Sequence, residues 1–174
     1  VLAWRRDIHQ FPELGNREFR TSKLVAEHLR QLGLEVTTGI AHTGVIAILK
    51  GGKPGPRIAL RADMDALPVT EKSGLPFESK QTAEFRGEKV GVMHACGHDA
   101  HTAMVLGAGI ALHRLREQWA GNVMLVFQPG EEGVRGARAM VEAGVVDDAS
   151  VMVCCHLGAQ SKRTGHIIGG ISGF

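Results

Sequence analysis

The chain has 174 residues, 44% of them hydrophobic and 22% charged, with a net charge of +2 at pH 7. That length supports one domain with its own core, and the near-balanced charge points away from nucleic acid or an acidic membrane surface as partner. No apolar run is long enough to span a bilayer. The three cysteines, Cys96, Cys154 and Cys155, cannot all pair, so a reducing, cytoplasmic setting is expected rather than a disulfide scaffold.

Val1, Trp4, Ile8 and Phe11 recur at helical spacing and predict an amphipathic helix ended by Pro12. Phe19, Leu24, Val25, Leu29 and Leu32 predict a second helix closed by Gly33. Strands are expected over Leu34 to Thr38, over Val45 to Lys50 and over Arg57 to Ala62. A Gly-Gly-Lys-Pro-Gly-Pro turn separates the last two. Residues 70 to 90 are polar, broken by Gly and Pro, and read as a long excursion. Ala100 to Leu115 is helical in pattern, with Gly107 and Gly109 permitting close approach to a neighbour. Asn122 to Gln128 holds the apolar run Val123 to Phe127, as expected of a strand covered on both faces. Arg135 to Ala143 reads as a short helix. Val151 to Cys155 reads as a buried strand with both its cysteines in the core, and Gly165 to Ile168 as one more strand. Helices alternating with buried strands predict an α/β fold with a mixed or mainly parallel sheet. Val1 falls inside a helical pattern, and Ile171-Ser172-Gly173-Phe174 brings no closing element, so a portion of a longer polypeptide is expected.

The stretch from Val90 to His101 crowds His94, Cys96, His98, Asp99 and His101 into a few residues. Thiolate and neutral imidazole are preferred ligands of zinc and comparable divalent metals. Cys96 and His98 are two apart, with Gly97 between them, so on an extended segment both side chains point the same way. Three predicted strands also end in donors: Asp63 and Asp65, Glu131 and Glu132, and His156. Ligands of open α/β sheets bind beyond the carboxyl ends of the strands. One shared site is therefore expected.

Each group has a plainer reading. Glu131 and Glu132 could complement the dipole of the helix that follows. Alternatively one binds a metal while the other takes a proton from metal-bound water. Cys96 could be a buried thiol beside an ordinary His, or the nucleophile of a cysteine hydrolase with a nearby His as base. That last reading leaves the Glu pair idle. A structural zinc finger fits poorly, since no second donor pair has the usual spacing. Asp63 and Asp65 could be a strand-terminal turn, or one of them could orient an imidazole ligand. His9, His28, His42, His113 and His166 have no donor cluster near them in sequence and read as surface or packing residues.

The motifs resemble the M20 metallopeptidases, in particular their amidohydrolase branch of hippurate hydrolases, N-acyl-amino-acid amidohydrolases and auxin-conjugate hydrolases. The resemblance lies in Arg5 to Leu14, in Arg61-Ala62-Asp63-Met64-Asp65-Ala66-Leu67-Pro68 and in Met93 to His101. It continues in Gln128-Pro129-Gly130-Glu131-Glu132-Gly133 and at His156. It implies a three-layer α/β/α catalytic domain with a mixed, mainly parallel sheet, of which residues 1–174 would be the N-terminal portion. The lid or dimerisation domain and the C-terminal catalytic segment would lie outside. It implies two divalent ions (zinc, manganese, cobalt or nickel), with Cys96, His98, Glu132 and His156 as ligands. Glu131 would be the general base and Asp65 the residue orienting a ligand. Asp63 stands where related aminopeptidases carry a ligating His. The implied reaction is hydrolysis of an N-acyl amino acid or similar small amide, with a homodimer possible for the full-length form. An inactive metal-binding fragment is the alternative. One departure is His156-Leu157-Gly158-Ala159, where the family usually has a Pro shortly after the His.

Overall fold

The computed structural model describes residues 1–158 and residue 165. In chain order its elements are α1 (Leu2–Gln10), α2 (Phe19–Gln31), β1 (Glu35–Ile40), β2 (Gly44–Lys50), β3 (Lys53–Asp63), β4 (Thr82–Phe85) and β5 (Glu88–Gly91). They continue with α3 (His98–Arg114), β6 (Ala120–Gln128), α4 (Gly136–Glu142) and β7 (Val151–Cys154). Among the described residues five strands form one sheet in the order β1-β2-β6-β3-β7, and β4 and β5 make a separate hairpin. The β1–β2 and β2–β6 pairs are antiparallel, whereas β6–β3 and β3–β7 are parallel. The sheet is mixed, and its three parallel strands are neighbours.

The strands alternate their apolar residues between two cores, as a period of two requires. On one face Val123, Leu125 and Phe127 of β6 and Val45, Ala47 and Leu49 of β2 meet Val25 and Leu29 of α2 and Val105 and Leu106 of α3. On the other, Met124 and Val126 of β6 pack with Ala59 of β3 and Met140 of α4. The chain is thus an α/β/α sandwich. Phe127, Leu125, Leu49 and Leu29 have no exposed surface, and burying each such side chain contributes roughly 1.5–3 kcal/mol. Helix α3 lies close on the sheet because residue 109 is glycine: a Cβ there would stand 2.7 Å from Leu125 Cδ1.

The expected elements recur with three differences. The Gly-Gly-Lys-Pro-Gly-Pro turn is shorter than expected, because β3 already begins at Lys53. Its register breaks between Lys53 and Arg57, where Pro54 and Pro56 have no N–H to give the ladder. The polar excursion carries the β4–β5 hairpin, whose turn uses Arg86 (φ 55°) and Gly87 (φ 83°), the paired left-handed conformation of tight hairpins. Strand β7 is not buried: Val151, Met152 and Val153 are 54%, 43% and 49% exposed, and Cys154 and Cys155 are exposed rather than core residues. Among the described residues β7 is an edge strand paired only with β3. An apolar run shows that a strand can be covered, not what covers it. The strand expected over Gly165 to Ile168 lies outside the described residues, apart from Gly165.

Candidate metal centre

Strands β3, β6 and β7 are parallel and adjacent, so their C-terminal ends open on one edge. In register, Asp63 lies opposite Gln128 and Arg61 opposite Cys154. Asp65, the Glu131–Glu132 loop and His156 therefore leave the sheet side by side. The Cys96–Gly97 turn feeds α3 into the same edge. Gly97 has φ +86°, a conformation that other residues adopt only under strain. Thr102 on the first turns of α3 donates to the Asp63 main-chain oxygen at 2.9 Å, fastening the helix to β3.

His98 is the centre of the arrangement and has no exposed surface. Its Nδ1 lies 2.8 Å from the Asp65 main-chain oxygen and 3.2 Å from Asp65 Oδ1. A carbonyl only accepts, so Nδ1 carries the proton and donates. Nε2 is then turned toward Asp63 Oδ1 at 3.7 Å, Glu131 Oε2 at 3.8 Å and Glu132 Oε1 at 3.9 Å. It is buried with no hydrogen-bond partner among the described residues. Cys96 Sγ and His156 Nε2 approach to 3.3 Å beside it. Among the described residues three donor groups have ligand atoms within 4.8 Å of one another: Cys96–His98–His156, Asp63–His98–His101 and His98–Glu131–Glu132. His98 belongs to all three.

This arrangement fits a divalent cation. Carboxylate oxygens converge on a buried nitrogen whose other side is already committed, and positive charge relieves their mutual repulsion. Burial alone would lower the His98 pKa, but the Asp65 hydrogen bond and the charges of Asp63 and Asp65 raise it. The pocket thus draws positive charge to Nε2 even from a proton. Burial pushes the Cys96 thiol up to about 11, with Glu132, Glu131 and Asp63 adding to the effect. A cation beside the sulfur reverses that logic, since a coordinating thiol is deprotonated. Cys96→Ala is therefore expected to lower the bound metal per polypeptide, read by elemental analysis. Unchanged stoichiometry would remove Cys96 as a ligand.

The Glu131–Glu132 loop is gripped from two sides. Asp65 Oδ2 accepts the Glu132 N–H at 2.9 Å. On the far side Glu18, which has no exposed surface, accepts the Gly130 N–H at 2.8 Å and the Asn16 N–H at 3.0 Å. It also accepts the Thr43 hydroxyl. Burial raises the Glu18 pKa against the pull of these donors. One carboxylate thus ties the segment before α2, the turn before β2 and the Glu131–Glu132 loop. Glu18→Ala is expected to cost on the order of 1–3 kcal/mol for each donor left unsatisfied, measured by urea unfolding. A loss below about 0.5 kcal/mol, the range of ordinary surface changes, would contradict this role.

The sequence reading missed two histidines that the structure puts to work and one that it buries. His9 is not a surface residue: it is 4% exposed, with Nδ1 2.8 Å from Asp99 Oδ2 and Nε2 3.0 Å from Glu71 Oε1. Arg5 Nε adds a second contact to Asp99 Oδ2 at 2.7 Å. His101, counted as a donor but given no role, contacts Asp63 Oδ1 at 2.6 Å. Its place three residues after His98 on one helix face was the available signal. His94 is buried with both ring nitrogens unpartnered among the described residues, and burial pushes its pKa down to about 4. In Asp63, burial pushes upward, but the His101 hydrogen bond and the Arg61 charge bring it down to about 2.

The chain is similar to several known proteins. Thermostable carboxypeptidase 1 of Saccharolobus solfataricus is 47% identical over 160 residues, covering 90% of this chain and 39% of that protein. N-acetyl-L-cysteine deacetylase of Bacillus subtilis is 39% identical over 180 residues, covering 100% of this chain and 41% of that protein. The solved structure of Bacillus subtilis YXEP protein, described as a dinuclear metal binding peptidase from the M20 family, superposes with a TM-score of 0.79. It is 43% identical, covering 87% of this chain and 40% of that one. The chain therefore spans about two fifths of the length of these relatives. Residues 59–171 match peptidase family M20/M25/M40, and the chain belongs to that family.

Proposed function

We propose that this chain is the N-terminal portion of the catalytic domain of a metal-dependent amidohydrolase that cleaves N-acyl amino acids or similar small amides. The observation that carries the reading is the buried His98 Nε2, without a partner among the described residues, facing three carboxylates beside the Cys96–His156 pair. Cys96, His98, Glu132 and His156 would hold two divalent ions, and that donor set suits zinc, manganese, cobalt or nickel. Such ions supply Lewis acidity and lower the pKa of water to about 7. Asp65 fixes the His98 tautomer and the Glu132 backbone together. Glu131, with its side chain 42% exposed, takes a proton from the attacking water and returns it to the leaving nitrogen. A carboxypeptidase and an N-acyl amino acid deacetylase share one substrate feature. In both, the amine half of the amide is an amino acid with a free carboxylate. That class is the substrate proposed here.

The 3.3 Å Cys96–His156 contact also favours a second reading, a thiol nucleophile with an imidazole base. A thiol held up to about 11 by burial and neighbouring carboxylates is poorly prepared for that work. The test is a panel of N-acyl amino acids offered to the intact gene product. Turnover abolished by chelator and restored by divalent metal is the expected result. Turnover that survives exhaustive chelation and is lost on thiol alkylation would assign the thiol reading instead.

A further inference from the structure

We propose that His101 is a positioning residue that sets the orientation of His156 through the backbone of Leu157. The proposal rests on the reading of Cys96 and His156 as ligands of a shared ion. His101 is 1% exposed, and its Nε2 accepts the Leu157 N–H at 2.9 Å. An accepting Nε2 carries no proton, so Nδ1 does, and it donates to Asp63 Oδ1 at 2.6 Å. Both ring nitrogens are thereby committed, and His101 has none left for an ion. Asp63 is itself fixed, with Oδ2 2.8 Å from Arg61 Nη1 and its main-chain oxygen bound by Thr102.

The chain of bonds continues beyond Leu157. His156 Nδ1 lies 2.9 Å from the Leu157 carbonyl, an acceptor, so Nδ1 holds the His156 proton. Its Nε2 lone pair then faces Cys96 Sγ at 3.3 Å. Four groups in series, Asp63, His101, Leu157 and His156, thus end on the nitrogen that points into the site. The His101 ring also packs against both proposed ligands, with centroids 4.7 Å from His156 and 5.4 Å from His98. The Leu157 side chain lies on Gly97, between Cys96 and His98: a Cβ at Gly97 would stand 2.8 Å from Leu157 Cδ1. One helix face therefore carries His98, which faces the site directly, and His101, which fixes the segment bearing His156. Ligand-orienting partners of this kind govern metal affinity although they never touch the ion.

Three substitutions separate this role from direct ligation and from simple packing. His101→Gln keeps an acceptor where Nε2 was and loses Asp63. His101→Asn keeps a donor toward Asp63 and cannot reach Leu157. His101→Phe keeps the ring and neither bond. In the intact gene product, competition with a chromogenic chelator for zinc should show at least one ion roughly 10–100-fold weaker in His101→Asn and His101→Phe. His101→Gln should lose distinctly less. Equal loss in all three, or wild-type affinity in His101→Phe, would overturn the proposal. A second measurement needs no variant: nitrogen-15 spectra of histidine-labelled, metal-free protein should show His101 as the Nδ1–H tautomer, and an Nε2–H tautomer would overturn it. His156→Ala tests the underlying reading separately. It should lose one ion, and full metal content there would sink the ligand assignment, while the tautomer spectrum still judges the hydrogen-bond chain.

Discussion

Replacing Glu131 by Gln should leave the metal content of the intact gene product unchanged and lower kcat by roughly 10²–10⁴-fold. Glu131 and Glu132 are adjacent, yet the structure treats them differently. Both carboxylates come near His98 Nε2, at 3.8 and 3.9 Å. The Glu132 backbone is held by Asp65, and its side chain is 26% exposed against 42% for Glu131. The more open carboxylate can reach a substrate and exchange a proton, and the more enclosed one suits a ligand. Gln matches Glu in shape but cannot take a proton at neutral pH, so KM should change little while kcat falls. Steady-state kinetics with elemental analysis reads both. Activity within tenfold of wild type would assign the proton transfer to another group.

His9→Leu should destabilise the fold by about 3–5 kcal/mol, the cost of removing one partner from a buried charged set. The imidazole lies between two carboxylates, Asp99 and Glu71, each within 3.0 Å. Carboxylates only accept, so both ring nitrogens must donate and the ring is positively charged. The Asp99 hydrogen bond raises the His9 pKa above 6.5, against burial and with help from Glu71. Burial opposes ionisation of Asp99 in turn, but the His9 hydrogen bond keeps its pKa low. Because the folded-state pKa of His9 is raised, its contribution is complete below about pH 6.5. It fades as pH rises through the folded-state value. Urea unfolding across that range should show the wild-type advantage over His9→Leu shrinking toward alkaline pH. An advantage that stays flat or grows would contradict the charged ring.

The candidate metal centre was more legible in the sequence than the supports around it. Asp63, Asp65, Glu131, Glu132 and His156 each sit just past an apolar run, so a parallel sheet alone predicts that they converge. Cys96 and His98 sit in a short, donor-dense segment. His9 gave no such signal, because Asp99 is 90 residues away and Glu71 is 62. Only the fold sets them around one helix. Glu18 was hidden for the same reason, since its partners Thr43 and Gly130 lie in two other segments. The β4–β5 hairpin was more accessible: Thr82-Ala83-Glu84-Phe85 alternates in character and leads into Arg86-Gly87. Its polar composition masked that alternation. The antiparallel pairing of β2 with β6 was not readable from β6, since an apolar run reports cover on two faces and says nothing about strand direction.

Anomalous diffraction from crystals of the intact gene product, loaded with zinc or manganese, addresses the metal centre most directly. Two peaks are predicted, with Cys96, His98, Glu132 and His156 at coordination distances of about 2.0–2.3 Å. A loaded, active protein whose peaks lie away from Cys96 and His98, or one that turns over with neither peak, would contradict the account.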